Sequence, residues 1–256
     1  MKKFTFWLTP LVALVCFTSV QAASMDKDNV SRVYTDIVAP ADQMAYEAGV
    51  KAYNQCLGQH GFKYTWTALN HETGNTYAYS YVSAPTTWAA FDDMRTSGKA
   101  CDSVFQSATN PHLRSETSSF LVRMPELSHM SMDLSSGLVG VIFYTLKHGH
   151  AANEAFTNAA KMFAAAAAKT KWPYPYMLSR VEQGDAGAPD FILSYPAKNW
   201  ADYGEDLNPS FMKMLENAYG KKKATELLKS FNDAVQDTSS HLDSVNTDLT
   251  YTPSGK

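Results

Sequence analysis

Two stretches of the chain carry apolar residues at helical spacing, and they lie 110 positions apart. The first, residues 41–57, places Tyr46, Val50, Tyr53 and Leu57 on one stripe; the second, residues 151–169, places Phe156, Ala160, Phe163 and Ala167 at the matching positions. Spacing of this kind marks a helix with one buried face. Short runs rich in β-branched and aromatic residues flank both: 31–38 and 141–146 before the helices, Tyr64-Thr65-Trp66 and Tyr174-Pro175-Tyr176 after them. These predict strands. Polar turn segments at 70–75 and 182–189 then lead to third strands at 77–82 and 191–195. Trp88-Ala89-Ala90-Phe91 and Trp200-Ala201-Asp202-Tyr203 open a second helical region in each half. That region is irregular around Cys101, Val104 and Phe105. It is longer in the second half, where Phe211, Met214, Leu215 and Ala218, and then Leu227, Leu228, Phe231 and Val235, form stripes. Residues 120–124 and 247–251 read as closing strands, ended by Pro125 and Pro253.

Each half therefore reads β-α-β-β-α-β, the order of the ferredoxin-like unit. The boundaries expected are a first repeat over residues 23–128 and a second over 129–256. In this order and duplication the chain resembles the dimeric α/β-barrel superfamily in its tandem, fused version. The resemblance implies an α+β fold of two βαββαβ ferredoxin-like repeats packed sheet-to-sheet as an intrachain α/β barrel. The superfamily includes cofactor-free monooxygenases and the haem-containing chlorite dismutases. No motif transfers a family's site residues to this chain, and fold by itself does not assign function.

Residues 1–22 add a compartment. Lys2 and Lys3 precede an apolar stretch, and Val20-Gln21-Ala22 offers small residues at a cleavage site. This predicts a cleavable secretory signal peptide and a periplasmic or secreted protein. Removing Lys2 and Lys3 from 22 basic residues leaves 20 against 25 acidic ones, a net charge of −5. A mildly acidic chain without a basic block points away from nucleic acid. No later apolar run is long enough to span a bilayer, so no membrane insertion is expected after cleavage. Cys56 and Cys101 remain, and in an oxidising compartment an even pair predicts a disulfide, with two separate buried thiols as the alternative. Closing that loop stabilises by ~4 kcal/mol in the chain-entropy model.

The chemistry-bearing residues are mainly aromatic. Tyr64 and Trp66 share one strand face, Tyr77, Tyr79 and Tyr81 share another, and Tyr174 and Tyr176 repeat the first pattern. Facing between the sheets, Tyr64, Trp66, Tyr79, Tyr174 and Tyr176 would line a cavity for a small hydrophobic or aromatic molecule; as plain packing they would bind nothing. Trp88 and Trp200 read as packing anchors. His148 and His150 could share a metal, but no HExxH, CxxC or acidic loop completes the set, and a polar turn is the simpler reading. His71, His112 and His129 read as single loop histidines. No nucleophile elbow, P-loop or dinucleotide fingerprint occurs. The expectation is an exported binding protein, monomer or homodimer, with no cofactor required by any motif. A cofactor-independent monooxygenase-like enzyme in the same cavity, a haem or metal protein, and a structural envelope component are the alternatives.

Overall fold

The structure, a computed structural model, describes residues 29–132, 134 and 137–253. The leader read at residues 1–22 lies outside them. The elements run β1 (Val30–Val38), α1 (Gln43–Gln59), β2 (Trp66–His71), β3 (Ala78–Ser83), α2 (Ala90–Gly98), α3 (Asp102–Ala108) and β4 (Leu113–Arg123) in the first half. The second half has β5 (Leu138–Leu146), α4 (His150–Thr170), β6 (Met177–Gln183), β7 (Phe191–Ala197), α5 (Trp200–Tyr203), α6 (Phe211–Tyr219), α7 (Lys221–Ala234) and β8 (Val235–Tyr251). No helix among the described residues is long and apolar enough to cross a membrane.

The strands form one closed barrel in the order β1-β3-β2-β8-β5-β7-β6-β4, with β4 returning to β1, and every pairing is antiparallel. This corrects the expectation of two ferredoxin-like repeats packed sheet-to-sheet. The halves meet edge to edge, through β2 with β8 and β4 with β6. The physical reason lies in the edge strands: two sheets stacked face to face leave four rows of unpaired backbone groups, whereas closure leaves none.

β8 is also longer than expected. Its 17 residues begin at Val235, which the apolar stripe assigns to the preceding helix, and its first half is polar. That polar half pairs with β5 from Leu146↔Val235 to Leu138↔Ser244, and the later half turns to β2. β4 likewise starts at Leu113, before the apolar residues that predict it. Backbone pairing, rather than side-chain hydrophobicity, sets both starts.

All helices lie outside the barrel, and the two helical layers are filled differently. Over the second half, Phe156 stacks on Phe191 and on Phe231 at centroid separations of 4.6 Å in each case, and Phe163 meets Phe231 at 5.2 Å. These rings, with Met214, Leu215 and Leu227, form a solid core. Over the first half, α1 buries Tyr46, Val50 and Leu57, while α2 and α3 are short. Cys56 in α1 and Cys101, just before α3, form the expected disulfide across a Cα–Cα distance of 5.9 Å.

Gly49 lets α1 approach the backbone of α3. A Cβ there would stand 2.1 Å from the Ala108 carbonyl oxygen. Gly49→Ala should therefore cost about 1–3 kcal/mol by over-packing, read from urea unfolding midpoints. Gly98→Ala in α2, whose Cβ would meet nothing nearer than 3.7 Å, should be neutral or stabilising. Equal stability for Gly49→Ala and the native chain would mean that the two helices are not packed backbone to backbone.

Candidate active site

Strand alternation sorts β1 cleanly: Val33 and Thr35 point into the lumen, while Arg32, Tyr34 and Asp36 point outward under the helices. Tyr81 of β3 and Trp66 of β2 join them on the outer wall. α1 covers this wall with Tyr46, Val50 and Tyr53, and α3 adds Phe105 and Gln106. Between wall and helices lies a cavity of about 340 Å³. A second lobe of about 440 Å³ shares Tyr34, Tyr53, Trp66 and Tyr81 with it and extends to Tyr64, Phe91 and Arg32. Volumes of this order suit a small organic molecule.

Asp36 is the chemically distinctive group. It is 3% exposed in a wall otherwise built largely of rings. Tyr46 Oη donates to Asp36 Oδ2 at 2.5 Å, and the Tyr46 and Tyr81 hydroxyls lie 2.8 Å apart. Asp36 Oδ1 has no hydrogen-bond partner. Glu116 stands directly opposite Asp36 on β4. Burial pushes the Asp36 carboxyl up, to about 7; the bond from Tyr46 works against this, and the Glu116 carboxylate adds to it. Burial also raises Tyr46 and Tyr81, so both phenols remain neutral donors. The indole nitrogen of Trp66 is buried and unpartnered as well. With the unpartnered Nε of Arg32 in the second lobe, the walls thus contain one free acceptor and two free donors, all costly to leave unmet.

The aromatic residues expected to share one cavity between sheets are divided between the two halves. Trp66 lines both lobes and stacks on Tyr53 at 6.3 Å. Tyr64 sits at the second lobe and donates to Asp93 Oδ2 at 2.6 Å. Tyr79 lies behind the cavity, packed on Tyr46 at 5.0 Å and donating to Glu47. Tyr174 and Tyr176 belong to the other half, where Tyr174 exchanges hydrogen bonds with Asn208 and Tyr176 is buried beside His129 and Trp172. The strand period puts aromatics on the outer, helix-covered face, because the lumen is too narrow for so many rings. His148 and His150 are both exposed. His150 Nε2 contacts only Glu154, at 3.2 Å, and neither histidine is in a three-ligand group among the described residues.

The sequence pattern marks neither Asp36 nor Glu116, and it marks Tyr46 and Tyr81 only as helix-stripe and strand-face positions. A signal for Asp36 was available: a carboxylate on the same strand face as Tyr34 and Val38, which also face the helices.

No protein-family model and no curated protein matches the sequence. Solved structures share the fold. A Lactobacillus acidophilus protein described as a "putative monooxygenase" is 12% identical with a TM-score of 0.53, covering 87% of this chain and 95% of its own. A mutant chlorite dismutase from Candidatus Nitrospira defluvii is 14% identical with a TM-score of 0.53, covering 86% and 94%. An anthrone oxidase-like protein is 8% identical with a TM-score of 0.50, covering 86% and 92%. The monooxygenase and the chlorite dismutase are members of the dimeric α/β-barrel superfamily, and at these identities the likeness is one of fold alone.

Haem, implied by the resemblance to chlorite dismutases, does not fit this cavity. Among the described residues no histidine, cysteine or methionine lines the main lobe, its tyrosines are held neutral, and Asp102 and Glu116 would oppose anionic propionates. The equivalent space in the second half is filled by Phe156, Phe163 and Phe231.

The Asp36 carboxyl is raised in the folded state, so its contribution to stability is present below about pH 4 and is lost as pH climbs through about 7. Asp36→Asn should raise the melting temperature only a little at pH 5 and markedly more at pH 8, by ~2–4 °C per kcal/mol recovered. Destabilisation at both pH values would show instead that Asp36 is an ionised structural partner.

Proposed function

We propose that the chain is a small-molecule enzyme of the cofactor-independent monooxygenase type, binding a planar hydroxy-aromatic compound between the barrel wall and α1. The observation that carries this reading is Asp36: a buried carboxyl, poised near neutrality, with one oxygen unpartnered in an aromatic cavity. A general base works best with a pKa near the working pH, and proton transfer of this kind contributes ~10²–10⁴-fold in rate. Perturbed groups in clefts are also candidate functional sites on general grounds.

Asp36 removes a proton from an acidic C–H or O–H of the bound compound. Tyr46, hydrogen-bonded to both Asp36 and Tyr81, orients the carboxylate and relays charge stabilisation. The stacked Trp66–Tyr53 pair offers an aromatic wall to the ring system, and the free indole N–H offers a donor to a substrate carbonyl. With dioxygen as oxidant, a ring-flanked CH₂ becomes C=O: one oxygen atom enters the product, and the other leaves as water with the two hydrogens. That some fold neighbours are described as putative monooxygenases or anthrone oxidase-like supports an oxygenase over a passive binder. The leader pattern and the Cys56–Cys101 disulfide support a periplasmic or secreted setting.

A panel of hydroxyanthrones and polyphenols should quench tryptophan fluorescence and, for a substrate, consume dioxygen with a rate that rises through about pH 7. Asp36→Asn should retain binding and lose ~100-fold or more in turnover. Turnover insensitive to Asp36→Asn, or no binding by any member of the panel, would contradict the assignment.

A further inference from the structure

The lumen holds a second constellation, separate from the cleft. β8 turns His241 and Asp243 inward, and β2 turns Leu69 and His71 inward beside them. His71 and Asp243 are direct cross-strand partners on the seam between β2 and β8; on the other side of β8, Val141 and Val139 are the partners of His241 and Asp243. The two imidazole rings lie 4.3 Å apart. His241 Nε2 is 3.2 Å from Asp243 Oδ2, and His71 Nε2 is 4.0 Å from Oδ1. Ser80 Oγ lies 2.9 Å from His71 Nε2 and 3.0 Å from Thr35 Oγ1.

Asp243 is 1% exposed, and its Oδ1 has no hydrogen-bond partner. A buried carboxylate needs compensating charge. A single cation between the three groups compensates the carboxylate and gives its unpartnered Oδ1 a partner. One nitrogen from each ring and one carboxylate oxygen all lie within 4.8 Å of one another. Ligands bonded at ~2.0–2.2 Å stand about 3.3 Å apart, so the set has to contract by up to about 1.5 Å on binding.

We propose that the barrel lumen binds one divalent transition-metal ion, of the zinc or ferrous type, through His71, His241 and Asp243. Two imidazoles and one carboxylate form a borderline donor set suited to such ions and leave coordination positions open. Ser80 stands beside the His71 nitrogen, backed by Thr35, where its hydroxyl would orient a metal-bound water. The ion would also tie the halves together, since His71 comes from the first and His241 and Asp243 from the second. The other three-residue group, Cys56, His60 and Cys101, is closed to metal because both sulfurs are in the disulfide.

The test uses the full chain under non-reducing conditions, stripped with a chelator and titrated with Co²⁺, then Zn²⁺. One equivalent of Co²⁺ should bind with visible d–d absorption, Zn²⁺ should displace it, and the melting temperature should rise with metal. His241→Ala should weaken binding ~100-fold, as loss of a ligand matches or exceeds loss of its supporting partners. His150→Ala should change nothing. Asp243→Asn should behave like His241→Ala; if that variant does not fold, His241→Ala carries the test, because the His241 side chain is 19% exposed toward the barrel mouth. No Co²⁺ retained on gel filtration, or retention lost in His150→Ala and kept in His241→Ala, would overturn the proposal.

Discussion

Pairing of the edge strands is the constraint from which the rest follows. Each four-strand half would expose two rows of backbone donors and acceptors, and each row finds its partner only in the other half. Closure through β2–β8 and β4–β6 removes every edge, but it also leaves a lumen narrow enough to be lined by Leu69, Val82, Val139, Val141, Phe143 and Ile192. Large rings are therefore displaced to the outer wall, and a sizeable ligand has to enter between wall and helices rather than between sheets.

The helices then decide which half is hollow. In the second half, α4, α6 and α7 lay Phe156, Phe163, Phe211 and Phe231 against β7 and fill the layer. In the first half the second helical region is shorter, and α3 is drawn against α1 at Gly49 and by the disulfide at Cys101. What remains beneath is a space walled by Tyr34, Tyr53, Trp66 and Tyr81, with Asp36 in its floor. Burial there disfavours the charged carboxylate, and Glu116 across the strand pair disfavours it further. The same packing deficit that makes room for a ligand thus tunes the group that would act on it.

Much of the element order was legible in the sequence, because the stripes of α1 and α4 and the aromatic strands bury one face each and must show it periodically. The cysteine pair was legible for a similar reason, since two thiols leave one pairing. The way the halves join was not: backbone hydrogen bonds along β2–β8 and β4–β6 have no side-chain signature, and the polar start of β8 conceals a strand. Trp66 and Tyr64 were marked as ligand-lining and do border the cleft, whereas Tyr79, Tyr174 and Tyr176 have the same composition and a packing environment. Asp36 was passed over because one acid in a strand carries no motif. His71, His241 and Asp243 are scattered over about 170 positions and meet only once the barrel closes.

The central claim is that Asp36 is a buried carboxyl held near neutrality beneath α1. Carboxyl-carbon NMR of the ¹³C-labelled chain, with the Asp36 resonance assigned by its absence in Asp36→Asn, measures this directly. A titration midpoint near 7 is expected. A midpoint near 4, the ordinary value for an exposed aspartate, would contradict it.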